Sequence, residues 1–347
     1  MNGNKKLGFI SVASIIGTIL VVFGHSYTLD YDDITPVMLA IRTFIYYFHM
    51  PLFFFISGFL AVYTRGIERK GFGKYIGSKA AQLLVPYLFL TLVFYVPKKT
   101  LSHESISAYD LFENVFAPRS NIWGHLWFLP ALFLITLIVS LILLALKKAG
   151  KNVKTAVNVI AAVGFIALLV FPVKLKWLAV SDICANLIYY FLGSLSVDFI
   201  IDRIDSLKNP FVLIASFAVA VGLSYVRYNY LLHSDIGHAL LQFVICMIML
   251  AVVFGLSENI YKIAPKLSDK LNSYTYTVYL YSWLVQTVVY YIGFDYLHLP
   301  KYVTCPIMFV TGLLIPILIS VIYSKIKFIN NKFFDTVLGI KVKRNDK

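Results

Sequence analysis

Charge is what this 347-residue chain has least of, since Asp, Glu, Lys and Arg together make up 14% of it, against about a quarter in a soluble domain. Long polar stretches are missing as well. Apolar runs of roughly 20 residues follow one another along the whole sequence, and 59% of the residues are hydrophobic. A solvated globular enzyme is thereby excluded, and no soluble domain is expected beside the membrane part. The three cysteines, Cys184, Cys246 and Cys305, are odd in number and lie in or beside apolar runs. They lack metal-ligand spacing, so neither a disulfide nor a metal role is expected. No internal repeat or low-complexity segment stands out, which lowers the case for an inverted-repeat transporter.

Acidic residues are scarce beside basic ones, 17 against 31, for a formal charge of +14. The cations are spread over many short loops and form no single patch, so nucleic acid is not an expected partner. In a multispanning chain their distribution reports topology. Hydropathy marks about ten spans: Leu7–Tyr27, Leu39–Tyr63, Tyr75–Val96, Trp123–Leu146, Val153–Phe171, Ile183–Ile201, Phe211–Tyr230, Ile236–Leu256, Tyr274–Phe294 and Val303–Tyr323. The first has a basic start, but its apolar run is longer than a signal core and lacks a small-x-small cleavage pattern, so a retained span is expected. Most lysines and arginines fall in loops that are internal if both termini are cytoplasmic. The expected class is an all-α integral membrane protein of about ten transmembrane helices in one bundle. Residues 1–330 would form a multispanning membrane domain in the cell membrane, and 331–347 a basic cytoplasmic tail.

Polar residues inside such runs are where chemistry is sought, because hydrocarbon offers them no water. The stretch YYFHMPLFFFISGF, from Tyr46 to Phe59, contains His49, roughly 15 Å deep at the helical rise per residue. His25 ends the preceding run near the outer mouth and His125 opens a later one. Arg42 stands seven residues before His49, two helical turns away on the same face. A neutral imidazole can take a proton from a hydroxyl at ordinary pH, whereas the plainer reading of each histidine is a buried ring satisfied by a neighbouring helix. For His49, a partner in Arg42 or His25 is expected. Pro51 predicts a kink one turn past His49. Arg65, Arg69, Lys70, Lys74 and Lys79 form a basic block at the cytoplasmic face; anionic headgroups explain such loops, and a phosphate-rich cofactor would use the same residues. The acidic outer loop with Asp30, Asp32 and Asp33 agrees with an external face, and Pro97 to Ile122 is expected to form a surface element or lid. In the ninth span, five aromatic residues from Tyr274 to Trp283 precede Gln286. They read first as interfacial belt residues and second as a carbohydrate-stacking surface.

Four stretches together are familiar in order and spacing: GHS at His25, FHMPLFFFISGFL from Phe48, LLVPY from Leu83 and HLWFLPALF from His125. They resemble the membrane acyltransferase family 3, particularly its fucose 4-O-acetylase-like branch. The later TYTVYLYSWLVQ resembles the family's segment near the last spans, with Ser282 where many members carry histidine. The resemblance implies an enzyme that moves an acyl group, commonly acetyl from cytosolic acetyl-CoA, to a hydroxyl of a cell-envelope or exopolysaccharide glycan. It implies that His25 is the catalytic histidine and that His49 is the second-span histidine of this branch, with Lys79 and Pro86 matching the third-span motif and His125 and Trp127 the fourth; His25 is then the expected general base, and a catalytic role for His49, with Arg42, in orienting it or stabilising the oxyanion is expected beside it. The sequence departs from the family at Ser11 and Ser14, where members often carry an aspartate and a basic residue. Arg42 would bind substrate beside His125 and Trp127, the basic block from Arg65 to Lys79 would take the phosphates of acyl-CoA, and membrane lipids are the remaining partners. The rival class is a glycan or lipid-linked-glycan flippase with His25 and His49 as a proton relay; a catalytically inert scaffold is the blander third.

Overall fold

An apolar segment in hydrocarbon must satisfy its own backbone hydrogen bonds, and a helix does so without neighbours. The computed structural model follows that rule: among the described residues, 7–27, 35–148, 175–230, 235–326 and 331–340, regular structure is helical throughout. In chain order the helices are α1 Gly8–Ser26, α2 Pro36–Tyr46, α3 His49–Tyr63, α4 Gly66–Lys70, α5 Phe72–Leu101, α6 Ala108–Phe116 and α7 Phe128–Lys148. After Trp177 come α8 Val180–Leu195, α9 Val197–Leu207, α10 Pro210–Tyr230, α11 Asp235–Ile263, α12 Pro265–Asn272, α13 Thr275–Tyr290, α14 Lys301–Lys325 and α15 Lys332–Val337. Eight segments among the described residues are long and apolar enough to cross a membrane. Helix α13, prolonged by a π-helical turn over Tyr291–Tyr296, occupies the expected ninth span. The expected span Val153–Phe171 lies outside the described residues, as do the basic start, the Asp30–Asp33 loop and residues 341–347. The chain is an all-α, multi-pass integral membrane protein.

Two compact units divide the chain, Met1–Tyr63 with Gly193–Ile319, and Thr64–Leu192 with Ser320–Lys347. In the first, α1 is the central helix and packs against α3, α11, α12 and α13. Phe9 anchors it by edge-on contacts to Phe59 and Phe254. Helix α10 packs on α11 and leaves large apolar side chains such as Phe211 (80% exposed) and Ile214 (70%) to the surrounding lipid. In the second unit α5 is the long element, thirty residues, or about 45 Å at the helical rise. It packs against α4, α6, α7 and α15.

Two local expectations are revised. The single helix expected over Leu39–Tyr63 is broken at Tyr47–Phe48, where amides of both residues turn back to carbonyls three residues earlier, Phe44 and Ile45 (both 3.2 Å). The pyrrolidine ring of Pro51 would clash with the carbonyl four residues before it, that of Tyr47. The break therefore falls ahead of His49, and Pro51 lies in the first turn of α3 where a missing N–H costs little. Likewise Pro97 does not end α5, which runs through both Pro86 and Pro97 to Leu101. The expected outer loop thus begins only at Ser102 and is organised around α6.

Candidate functional site

In the first unit the last turn of α1 carries His25, half-buried. Its imidazole lies against the indole of Trp283 on α13, with ring centroids 4.1 Å apart and planes inclined by 43°. Next to His25, Gly24 admits the ring of Tyr46; a Cβ there would come 2.8 Å from Tyr46 Cε2. This close approach explains the glycine of the GHS triplet. Tyr46 in turn receives the Arg42 guanidinium over its face at 4.8 Å and stands 4.7 Å, centroid to centroid, from the imidazole of His49. Two residues singled out from sequence, Arg42 and His49, thus meet on one tyrosine that was not singled out, and that tyrosine packs on Gly24, the chain neighbour of His25. The neighbourhood combines a half-buried histidine, a cation and a buried ring.

The partner of His49 differs from the one expected. Its Nδ1–H donates to the Ile45 carbonyl (3.0 Å), which leaves Nε2 as the acceptor nitrogen of a neutral ring. With the ring only 4% exposed, this hydrogen bond fixes it against Tyr46 across the Tyr47–Phe48 break. The family-variant positions have local uses: the Ser14 hydroxyl donates to the Ile10 carbonyl (2.9 Å), and Ser11 Oγ accepts from Asn272 Nδ2 (3.3 Å).

Beside this cluster, still within the first unit, an apolar cavity of about 600 Å³ opens between α1, α2, α10 and α11, lined among others by Leu20, Phe44, Phe217 and Met249. Tyr47, one of its lining residues, accepts from the Arg227 guanidinium at Oη (2.7 Å), and Arg227 also donates to the His238 carbonyl (3.2 Å) and Gln242 Oε1 (3.2 Å).

The second unit holds the remaining expected site residues at opposite ends of α5. At its N-terminal end, α4 and the start of α5 form an elbow. Arg65 opens α4 in the left-handed region (φ 49°), and Gly66 packs under the ring of Tyr75, where a Cβ would meet Cε2 at 2.5 Å. Arg65, Arg69, Lys70 and Lys74 are exposed and Lys79 is half-buried, its Nζ 5.9 Å from the Tyr75 ring. Glu68 is the acidic residue among them, 3.9 Å from Arg65.

At the C-terminal end of α5, His125 and Trp127 are buried in the 3-10 turn Gly124–Trp127 that leads into α7. The Arg119 guanidinium covers the Trp127 ring at 3.9 Å and holds Asp182 Oδ1 through Nε (2.9 Å) and Nη2 (2.6 Å). Nearby, the tyrosine of LLVPY ties α6 to α5: Tyr87 Oη bonds the Asn114 and Val115 carbonyls (both 2.9 Å). Asn121 Nδ2 adds bonds to Thr91 Oγ1 and the Asn114 carbonyl (both 2.8 Å). Lys99 pairs with Asp110 (2.6 Å), and its ammonium holds the Asp110 carboxyl below the usual carboxylate range. Lys176 does the same to Glu113 from 2.8 Å. Among the described residues no cluster of His, Cys, Asp or Glu could hold a metal ion.

Comparison with known proteins identifies the family of the chain. The chain is 33% identical over 133 residues to the nodulation protein NolL of Mesorhizobium japonicum, covering 38% of this chain and 34% of that one. It is 36% identical over 146 residues to the nodulation protein NolL of Sinorhizobium fredii, covering 38% and 36%. The matches therefore span about a third of the length of these curated relatives. No solved structure matches the chain. The family model described as an acyltransferase domain matches residues 8–325, nearly the whole sequence, and the chain belongs to that acyltransferase family.

Proposed function

We propose that the protein is an O-acetyltransferase that moves acetyl from cytosolic acetyl-CoA to a hydroxyl of a cell-envelope glycan. The observation that carries this reading is His25, half-buried in the last turn of α1, with its ring set against Trp283, while Arg42 lies on the ring of Tyr46, which packs against the neighbouring Gly24. A nitrogen of the imidazole takes the proton of the acceptor hydroxyl as its oxygen attacks the thioester carbonyl. Arg42 faces the charge that builds on the carbonyl oxygen, and such donors contribute roughly 3 to 4 kcal/mol each. The C–S bond then breaks, the ester forms, and the departing thiolate of CoA recovers the proton from the imidazolium. His49, locked through Nδ1, sets the ring of Tyr46 on which Arg42 rests. The exposed cations of the α4–α5 elbow bind the donor phosphates, and Arg119 and Trp127 contribute to acceptor recognition beside His125.

Acetyl ester on the envelope glycan of cells carrying the wild-type chain, and its loss with His25→Ala at unchanged membrane abundance, is the expected result. Full acetylation by His25→Ala overturns the assignment.

The apolar cavity between α1, α2, α10 and α11 favours a second reading, movement of a lipid-linked glycan. Its size suits a hydrocarbon chain. In that case deletion of the gene leaves the glycan unesterified in both strains but misplaced in one.

A further inference from the structure

Gln286 lies at the far end of the chain from α1 in sequence, yet it is bonded to the turn that bears His25. Its Nε2 donates to the Val22 carbonyl (2.9 Å) and to Ser26 Oγ (2.8 Å), which uses both amide hydrogens of the side chain. Ser26 Oγ–H itself donates to the Val22 carbonyl (2.8 Å). The three groups close a triangle, and all are buried: Gln286 and Ser26 are each 1% exposed and Val22 is fully enclosed. Hydrogen bonds in a medium without competing water are stronger than the same bonds at a surface.

The geometry links this triangle to the imidazole. His25 and Ser26 follow Val22 by three and four residues, so both lie one turn above it on α1, and Trp283 and Gln286 stand three residues apart on one face of α13. One residue of the α13 pair therefore grips the backbone of the turn while the other covers the ring of His25. Two attachment points fix both the height and the rotation of the turn relative to α13. Space for the amide comes from α14, where a Cβ on Gly312 would lie 3.0 Å from Gln286 Cγ and 3.1 Å from Val22 Cγ1. Helix termini otherwise fray, because their last carbonyls have no intrahelical partner. A general base at such an end needs an external clamp, since misplacement by about 1 Å can cost 100-fold in rate.

We infer that Gln286 and Trp283 are positioning residues for His25: the amide clamps the last turn of α1 and the indole sets the plane of the ring. The inference rests on the reading of His25 as the general base. Neither side chain touches the reacting atoms.

The test uses the full chain in membrane vesicles, acetyl-CoA labelled in the acetyl group, and envelope polysaccharide from the producing cell as acceptor. Gln286→Met, which keeps length and removes both donors, is expected to lower kcat at least tenfold while KM for acetyl-CoA stays within twofold. Ser26→Ala should show the same split with a smaller loss, and Ser26→Thr, which keeps the hydroxyl, should restore kcat to within threefold of wild type. If His25→Ala is inactive while Gln286→Met keeps wild-type kcat, the positioning role is overturned and the general base stands. A Gln286→Met loss that raises KM in parallel, or that tracks reduced thermal stability, overturns it too. Activity in His25→Ala overturns both readings together.

Discussion

Tyr46 packs its ring against Gly24 so closely that no Cβ could stand there without moving it, the nearest approach being 2.8 Å. Since Tyr46 also meets Arg42 and His49, one glycine decides whether the cluster assembles. Gly24→Ala should therefore displace Tyr46, destabilise the fold by about 1–3 kcal/mol as overpacking does, and lower acetyl transfer. Thermal unfolding in detergent together with the transfer rate checks it; a variant with unchanged stability and rate would contradict the packing.

Arg42 carries a separate expectation. Replacing it with leucine removes the cation beside Tyr46 and should cut kcat about 100-fold with little change in KM, the signature of a group that acts in the transition state. Steady-state kinetics separates the two constants. A rise in KM alone would reassign Arg42 to ground-state binding.

The α4–α5 elbow should act on the donor and not on the chemical step. With Arg69, Lys70 and Lys74 changed to glutamine and Arg65 to asparagine, which tolerates the left-handed backbone at that position, KM for acetyl-CoA should rise roughly tenfold at low salt. The difference should shrink as ionic strength rises, because exposed charges are screened within about 10 Å at 0.1 M salt. A KM indifferent to both the substitutions and salt removes the elbow from donor binding.

The α6 segment should respond to acid. Asp110, paired with Lys99 and Tyr95, has its folded pKa held below the ordinary value of 3.8. A carboxyl depressed in the folded state supports the fold above its unfolded pKa and loses that support as pH falls through the folded one. Amide exchange over Ser107–Phe116, corrected for the intrinsic pH dependence, should be protected near pH 6 and accelerated once the pH falls below the ordinary carboxylate value of 3.8 and through the lower folded one; Asp110→Asn should show the faster exchange throughout. Equal protection throughout would mean that the Tyr87 and Asn121 network alone holds α6.

Among the described residues hydropathy located most of the spans, because membrane burial leaves a long, composition-level signal; the expected Ile183–Ile201 is displaced, since the helix ends at Leu195 and a separate one begins at Val197. Hydropathy did not locate the break at Tyr47–Phe48. Pro51 was visible, but its steric effect acts on the carbonyl four residues back and so appears ahead of His49. Of the cluster, His25, Arg42 and His49 were legible because polar groups are conspicuous in an apolar run. Tyr46 was not, since an aromatic residue there looks like its many neighbours. Trp283 and Gln286 were visible only as the end of an aromatic belt. Their partners lie on α1, with Ser26 separated from Gln286 by 260 residues, and no local pattern in either segment announces the pairing. Tyr87 and Asn121 were hidden for the same reason, as each owes its role to a contact across a loop.

The length of α5 sets a limit that the rest of the second unit has to respect. Thirty residues make a rod about 45 Å long, some 15 Å more than the hydrocarbon layer can cover. Lys74 near one tip and Lys98 and Lys99 near the other oppose withdrawal of either tip into lipid. Sliding the helix along the membrane normal in either direction would drag one set of ammonium groups toward hydrocarbon. Helix α5 is in this sense a depth gauge, fixing how high the second unit floats in the bilayer before any substrate arrives.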